Sequence, residues 1–148
     1  MELIIGNTQL ICYENGTIER FDKRCKNWRL AKQCNTSSGY LNIWIENKYY
    51  YAHRVIYKAF HQDWNLYDLL EIDHINRDKT DNRIENLRLV SHQQNQFNKN
   101  TKGYTIVKYG FRAYIYLNGK KYSKYFKIEE DARNWHLEQK AILHIIDL

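Results

Sequence analysis

A chain of 148 residues has room for one domain, or for two very small ones wrapped round a central module. Mean hydropathy is −0.76, no apolar run approaches the ~20 residues of a membrane span, and the opening MELIIGNTQLICYENG turns polar too soon for a signal peptide, so a soluble, intracellular protein without a membrane partner is expected. Net charge is +6: residues 1–50 hold seven Lys/Arg and five Asp/Glu, residues 51–100 seven of each, and residues 101–148 nine and five. A neutral centre between basic arms suits a polyanionic partner, because cationic side chains gain by releasing condensed counterions.

The first third reads as β-rich. ICYENGTIERF places Glu14, Asn15 and Gly16 as a hairpin turn between two apolar-alternating pieces. Leu41, Ile43 and Ile45 alternate with polar positions, a turn follows at Glu46 and Asn47, and a second strand runs through Tyr51. Helical spacing takes over from His53 to His61, with Val55, Ala59 and Phe60 as its apolar face. Cys12, Cys25 and Cys34 show no paired spacing, so they read as reduced thiols rather than as a zinc site or a disulfide framework.

Residues 69–98, LLEIDHINRDKTDNRIENLRLVSHQQNQFN, read as strand, loop, strand, helix. Ser91 followed by Gln94 forms a capping box, which starts the helix for a physical reason. His74 ends the first strand, and an imidazole can take a proton from water near neutral pH. Asp73 and Asn95 offer hard oxygen donors to one divalent cation, a set that suits magnesium or manganese better than zinc. A cation beside a histidine that activates water makes a phosphodiester hydrolysis site.

These residues resemble the HNH endonucleases of ββα-metal fold, in the small phage and intron homing-endonuclease branch. The pattern runs from Asp73-His74 to Asn86 twelve residues later and Asn95 nine further on, with DNRIENLRLVS between. By that resemblance His74 is the general base, Asp73 and Asn95 bind one Mg2+ or Mn2+, and Asn86 holds the loop that orients His74. Asn82 is a rival for the structural asparagine and His92 a rival last ligand. Arg54, in a His53-Arg54 pair also frequent in the family, either pairs with a carboxylate such as Glu71 or touches a DNA phosphate.

Beyond a polar linker, NKNTKG, come strand candidates at 104–109, 111–117 and 121–127, with Asn118-Gly119 as a hairpin signal. Phe111, Ala113, Ile115 and Leu117 point one way, and Arg112, Tyr114 and Tyr116 the other. A helix from about Glu129 to Ile146 would cover the apolar face with Ala132, Trp135, Ile142 and Ile145. Three strands and one helix resemble the plant ethylene-response-factor DNA-binding domain, whose sheet enters the major groove. The resemblance makes Arg112, Tyr114, Lys121 and Lys124 candidate DNA contacts, with Lys108 and Lys120 close by.

The expected fold class is therefore α+β: an N-terminal β-rich segment and an HNH core within 1–98, then a three-stranded antiparallel sheet with one helix in 99–148. The expected activity is cleavage of double-stranded DNA to 5′-phosphate and 3′-hydroxyl ends. Two other readings stand beside it: a DNA-binding regulator on an inactive HNH scaffold, and an RNA-binding or RNA-cleaving protein. Monomer and homodimer are both compatible with the sequence.

Overall fold

The Glu14-Asn15-Gly16 signal and the short apolar alternations around it fold into a meander. A computed structural model describes residues 1–66, 70–99 and 101–143. Strands β1 (Glu2–Ile5), β2 (Thr8–Cys12), β3 (Ile18–Asp22) and β4 (Asn27–Leu30) form an antiparallel sheet in chain order. A second sheet follows, made of β5 (Gln33–Asn35), β6 (Leu41–Ile45) and β7 (Lys48–Tyr51). Glu46 and Asn47 link β6 to β7 at φ 44° and 64°, the left-handed pair that a tight hairpin requires.

The chain then enters α1 (Ala52–Phe60), which buries Ala52, Val55, Ile56 and Ala59 against Leu10, Cys12, Ile18, Ile43 and Ile45. This is the core of the first compact unit, Met1–Val90. Burial also pushes the Cys12 thiol up to about 11, and all three cysteines are free, Cys12 buried and Cys25 and Cys34 exposed. A two-stranded antiparallel pair, β8 (Glu71–His74) and β9 (Leu87–Val90), completes the unit, with a single 3-10 turn at Ile84–Asn86 between them.

The second unit, Ser91–Leu148, opens with α2 (His92–Asn98). Its capping box is present in both halves: Gln94 N–H donates to Ser91 Oγ at 3.3 Å, and Ser91 N–H to Gln94 Oε1 at 2.8 Å. The division lies ahead of α2, whereas the sequence suggests one after Asn98. Two bonds tie α2 and its C-cap to the remainder of this unit, Asn118 N–H to Gln93 Oε1 at 3.1 Å and Lys140 Nζ to Lys99 O at 3.2 Å.

Strands β10 (Tyr104–Val107), β11 (Gly110–Leu117) and β12 (Lys120–Phe126) form the antiparallel sheet of this unit, and α3 (Glu129–Leu143) packs on it. Glu129, Glu130 and Asp131 occupy the first turn of α3, at the positive end of its dipole. Ala113 and Ile115 are buried beneath Ala132 and His136. Gly103 gives His136 its room, since a Cβ there would lie 2.0 Å from the ring, and His136 Nδ1 bonds to Tyr114 O at 2.8 Å. Ile142, assigned to the covering face from sequence, is 63 % exposed. At about 100° per residue it falls about 80° off the stripe that Ala132 starts, and the half-buried Leu143 takes that place. Ile145 lies outside the described residues.

Candidate active site

The register of β8 and β9 sets the first contact of the site. Asp73 stands opposite Arg88, and His74 opposite Leu87. Arg88 Nε and Nη2 both donate to Asp73 Oδ2, at 3.0 and 2.8 Å, so the buried carboxylate is charge-paired.

The loop after His74 is a chain of local side-chain bonds, as a run rich in Asp and Asn favours. Arg77, at φ 67°, returns its N–H to His74 O at 2.9 Å. Asp78 N–H donates to Asn76 Oδ1, and Thr80 N–H and hydroxyl both donate to Asp78 Oδ1. Arg83 grips Asp81 through both carboxylate oxygens and holds its carboxyl down to about 2.

Asn86 closes this loop. Its Oδ1 accepts from Asn76 N–H at 2.9 Å, its Nδ2 donates to Asp81 O at 2.8 Å and to Asn76 Oδ1 at 3.0 Å, and its backbone carbonyl accepts from Ile75 N–H at 2.9 Å. A different asparagine touches the imidazole. His74, only 3 % exposed, has Nε2 at 3.0 Å from Asn82 Oδ1. An amide oxygen only accepts, so Nε2 is the donor of this bond. Two asparagines thus divide the structural duty, with Asn86 on the loop and Asn82 on the His74 ring.

Aromatic rings wall His74 on its other sides. The Tyr40 and His53 rings lie 5.9 and 5.1 Å from it, and Tyr51 stacks on His53 at 5.5 Å. Burial above all, then His74 and Arg54, holds His53 down to about 3 from 6.5, so it is neutral. The unfolded chain takes up a proton that the native His53 refuses, so stability is full above pH 6.5 and is lost as pH falls from there towards 3. At about 1.4 kcal/mol per unit, several kcal/mol are at stake. Denaturant unfolding at stepwise lower pH should show this slope, and His53→Phe should flatten it.

Arg54 donates from Nη2 to Leu66 O at 2.6 Å and lies 4.9 Å over the Trp64 ring, so its guanidinium is engaged inside the first unit. Asn95 lies half-buried on α2 of the second unit, its N–H on Ser91 O at 3.0 Å. His92, on the same helix, is exposed and bonds Gln96 through Nε2 at 3.1 Å. The structure therefore assembles Asp73, His74, Asn82, Asn86 and Arg88 in one unit. Arg88 is the partner that motif spacing alone did not single out, whereas Asn82, the rival structural asparagine, is the one that meets the His74 ring. Counting the hairpin register back from His74 and Leu87 pairs Asp73 with Arg88, so that signal was in the chain.

In the second unit the sheet register sorts the basic residues by face. Leu117 pairs with Lys120, Tyr116 with Lys121, Tyr114 with Ser123, Ala113 with Lys124 and Arg112 with Tyr125. Directly opposed residues share a face, so Arg112, Tyr114, Tyr116, Lys121 and Tyr125 lie together. Lys121 Nζ sits 4.6 Å over the Tyr114 ring and 5.8 Å over that of Tyr116. Lys120 and Lys124 fall on the opposite face, with Leu117 and Ala113, where Lys124 Nζ lies 5.5 Å over Phe126. The candidate contacts Lys121 and Lys124 thus fall on opposite faces: the two-residue turn at Asn118-Gly119 sets the pairing, and strand alternation does the rest. Lys108 is exposed in the β10–β11 turn.

Among the described residues no three His, Cys, Asp or Glu side chains cluster as metal ligands, and no helix is long and apolar enough to cross a membrane. No curated protein and no solved structure matches the chain. The model of the HNH endonuclease family matches residues 50–97, which carry Arg54, Asp73, His74, Asn86 and Asn95, and this match supports an HNH endonuclease domain of nuclease type in the chain.

Proposed function

We propose that this chain is a metal-dependent HNH endonuclease that hydrolyses a phosphodiester of double-stranded DNA, leaving 5′-phosphate and 3′-hydroxyl ends, in the manner of phage and homing nucleases. The observation that carries the reading is His74, buried at the end of β8 with Nε2 held by Asn82, above a loop locked by Asn86. With Nε2 committed as donor, Nδ1 is the atom that takes the proton of the attacking water. The imidazole is already oriented, so little reorganisation is needed at the moment of reaction.

The donor chemistry fits a hard cation. Arg88 keeps Asp73 charge-paired through Oδ2, and a carboxylate carries lone pairs on both oxygens. With Asn95 as amide donor, assigned by the sequence pattern, the set is all oxygen and matches magnesium or manganese rather than zinc. Such an ion, when bound, offsets charge developing on the phosphate and the departing 3′ oxygen.

The Arg112, Tyr114 and Lys121 face is the proposed DNA-binding surface of the second unit, since a small antiparallel sheet can enter the major groove. Arg112→Ala and Lys121→Ala should each weaken duplex binding and lower the salt slope by about one unit, whereas Lys124→Ala should leave both unchanged. Binding titrations at several salt concentrations read this.

A supercoiled-plasmid assay with magnesium or manganese tests the activity. Nicked or linear product that EDTA abolishes is expected. Tight duplex binding without cutting would replace the nuclease with a DNA-binding regulator on an HNH scaffold, and preference for single-stranded RNA in competition would redirect it to RNA.

A further inference from the structure

We infer that the β2–β3 turn of the N-terminal sheet is a working part of the catalytic centre: Gly16, held by Gln33, is the wall that positions Asn82 and, through it, the His74 imidazole. This rests on the reading of His74 as general base.

Little else holds the Asn82 side chain. Its side chain is buried, its Oδ1 faces His74 Nε2, and its Nδ2 has no partner among the described residues. The amide is thus anchored at one end only, and where that end lies depends on the backbone. The backbone in turn leans on the β2–β3 turn. A Cβ on Gly16 would lie 3.0 Å from Asn82 C, 3.1 Å from Asn82 O and 3.3 Å from Arg83 N, tight enough that the Asn82 backbone would have to give by a few tenths of an ångström to admit it. Gly16 also sits at φ 85°.

Three further bonds make this contact rigid. Ile84 N–H donates to Glu14 O at 2.9 Å, which fastens the far side of the loop to the same turn. Gly16 N–H donates to Tyr13 O at 3.0 Å, and Gln33 Nε2 donates to Gly16 O at 3.0 Å. The order of support runs from Gln33 on β5 to Gly16, to Asn82, to His74. Gln33 and Gly16 touch no substrate in this arrangement, so they are positioning residues.

The test uses the full-length protein and four variants: Gly16→Ala, Gln33→Leu, Asn82→Ala and Gly39→Ala. Gly39 has the same φ of 85° but meets only the flexible Lys79 side chain, at 3.7 Å, so it reproduces the backbone strain without the push on Asn82. Two quantities are read: the single-turnover rate against duplex affinity, and the His74 tautomer by nitrogen-detected NMR on the metal-free protein. The expected result is a rate lowered about 10- to 100-fold in Gly16→Ala, less in Gln33→Leu, with affinity unchanged. The Nε2–H tautomer should lose its dominance in Gly16→Ala, and Gly39→Ala should match wild type in both readouts. Gly16→Ala should cost nothing further in the Asn82→Ala background, because it acts through that residue.

If wild type cuts and His74→Ala does not, while Gly16→Ala keeps wild-type rate or its loss adds in full to that of Asn82→Ala, the inference is overturned. If wild type does not cut at all but Gly16→Ala still disturbs the His74 tautomer, the positioning stands and it is the nuclease reading that falls.

Discussion

His74→Ala should lower the single-turnover rate of DNA cleavage by about 10²- to 10⁴-fold, the usual worth of one positioned acid-base group. The expectation follows from the proposed role of His74 as general base, with its ring held at Nε2 by Asn82. Duplex affinity should be nearly unchanged, since the ring is buried. Added imidazole should restore part of the rate by entering the space that the side chain vacates. Cleavage that survives the substitution at wild-type rate would move the base to another residue.

Arg88→Met should produce a large stability loss, about 3–5 kcal/mol in denaturant unfolding at neutral pH. The Asp73 side chain is 8 % exposed and the Arg88 side chain 23 %, so removing the guanidinium strands a buried carboxylate. Neutralising both ends, as Arg88→Met with Asp73→Asn, should recover most of that loss, because the cost lies in the orphaned charge rather than in the missing contact. Millimolar manganese should stabilise Arg88→Met more than wild type if Asp73 is a cation ligand, since the ion then supplies the charge that Arg88 did. A single variant as stable as wild type would show that the pair is solvated.

Those two residues mark how far the fold and site are legible in the chain itself. Strand, loop, strand and helix occur in order over residues 71–98, because each carried a local cause: alternation in the strands, Asp and Asn in the loop, a capping box at Ser91. The hairpins at Asn47 and Asn118-Gly119 were legible for the same reason. Strands β1, β4 and β5 were not, since none is longer than four residues and their stability comes from neighbours in the sheet rather than from their own pattern. Within the site, Asp73, His74 and Asn86 stood out by spacing, whereas Asn82 acquires its partner only through folding, and Gly16 touches it from 66 positions away in the chain. The side on which Lys124 lies is not legible in the chain, because composition names the charged residues and only the register assigns their side.

The turn at Asn15-Gly16 also bears on how the protein ages. An asparagine followed by glycine is the dipeptide most prone to close into a succinimide, since the glycine nitrogen can attack the side-chain carbonyl with no Cβ in the way. In this turn the nucleophile is occupied and the side chain is fixed: Gly16 N–H is given to Tyr13 O, and Asn15 Oδ1 accepts from Thr17 N–H at 3.0 Å. Ring closure requires the Gly16 N–H bond to open first, so the fold that braces Asn82 also slows the spontaneous conversion of Asn15 to aspartate or isoaspartate, and the folded chain keeps this turn intact longer than an unfolded one would.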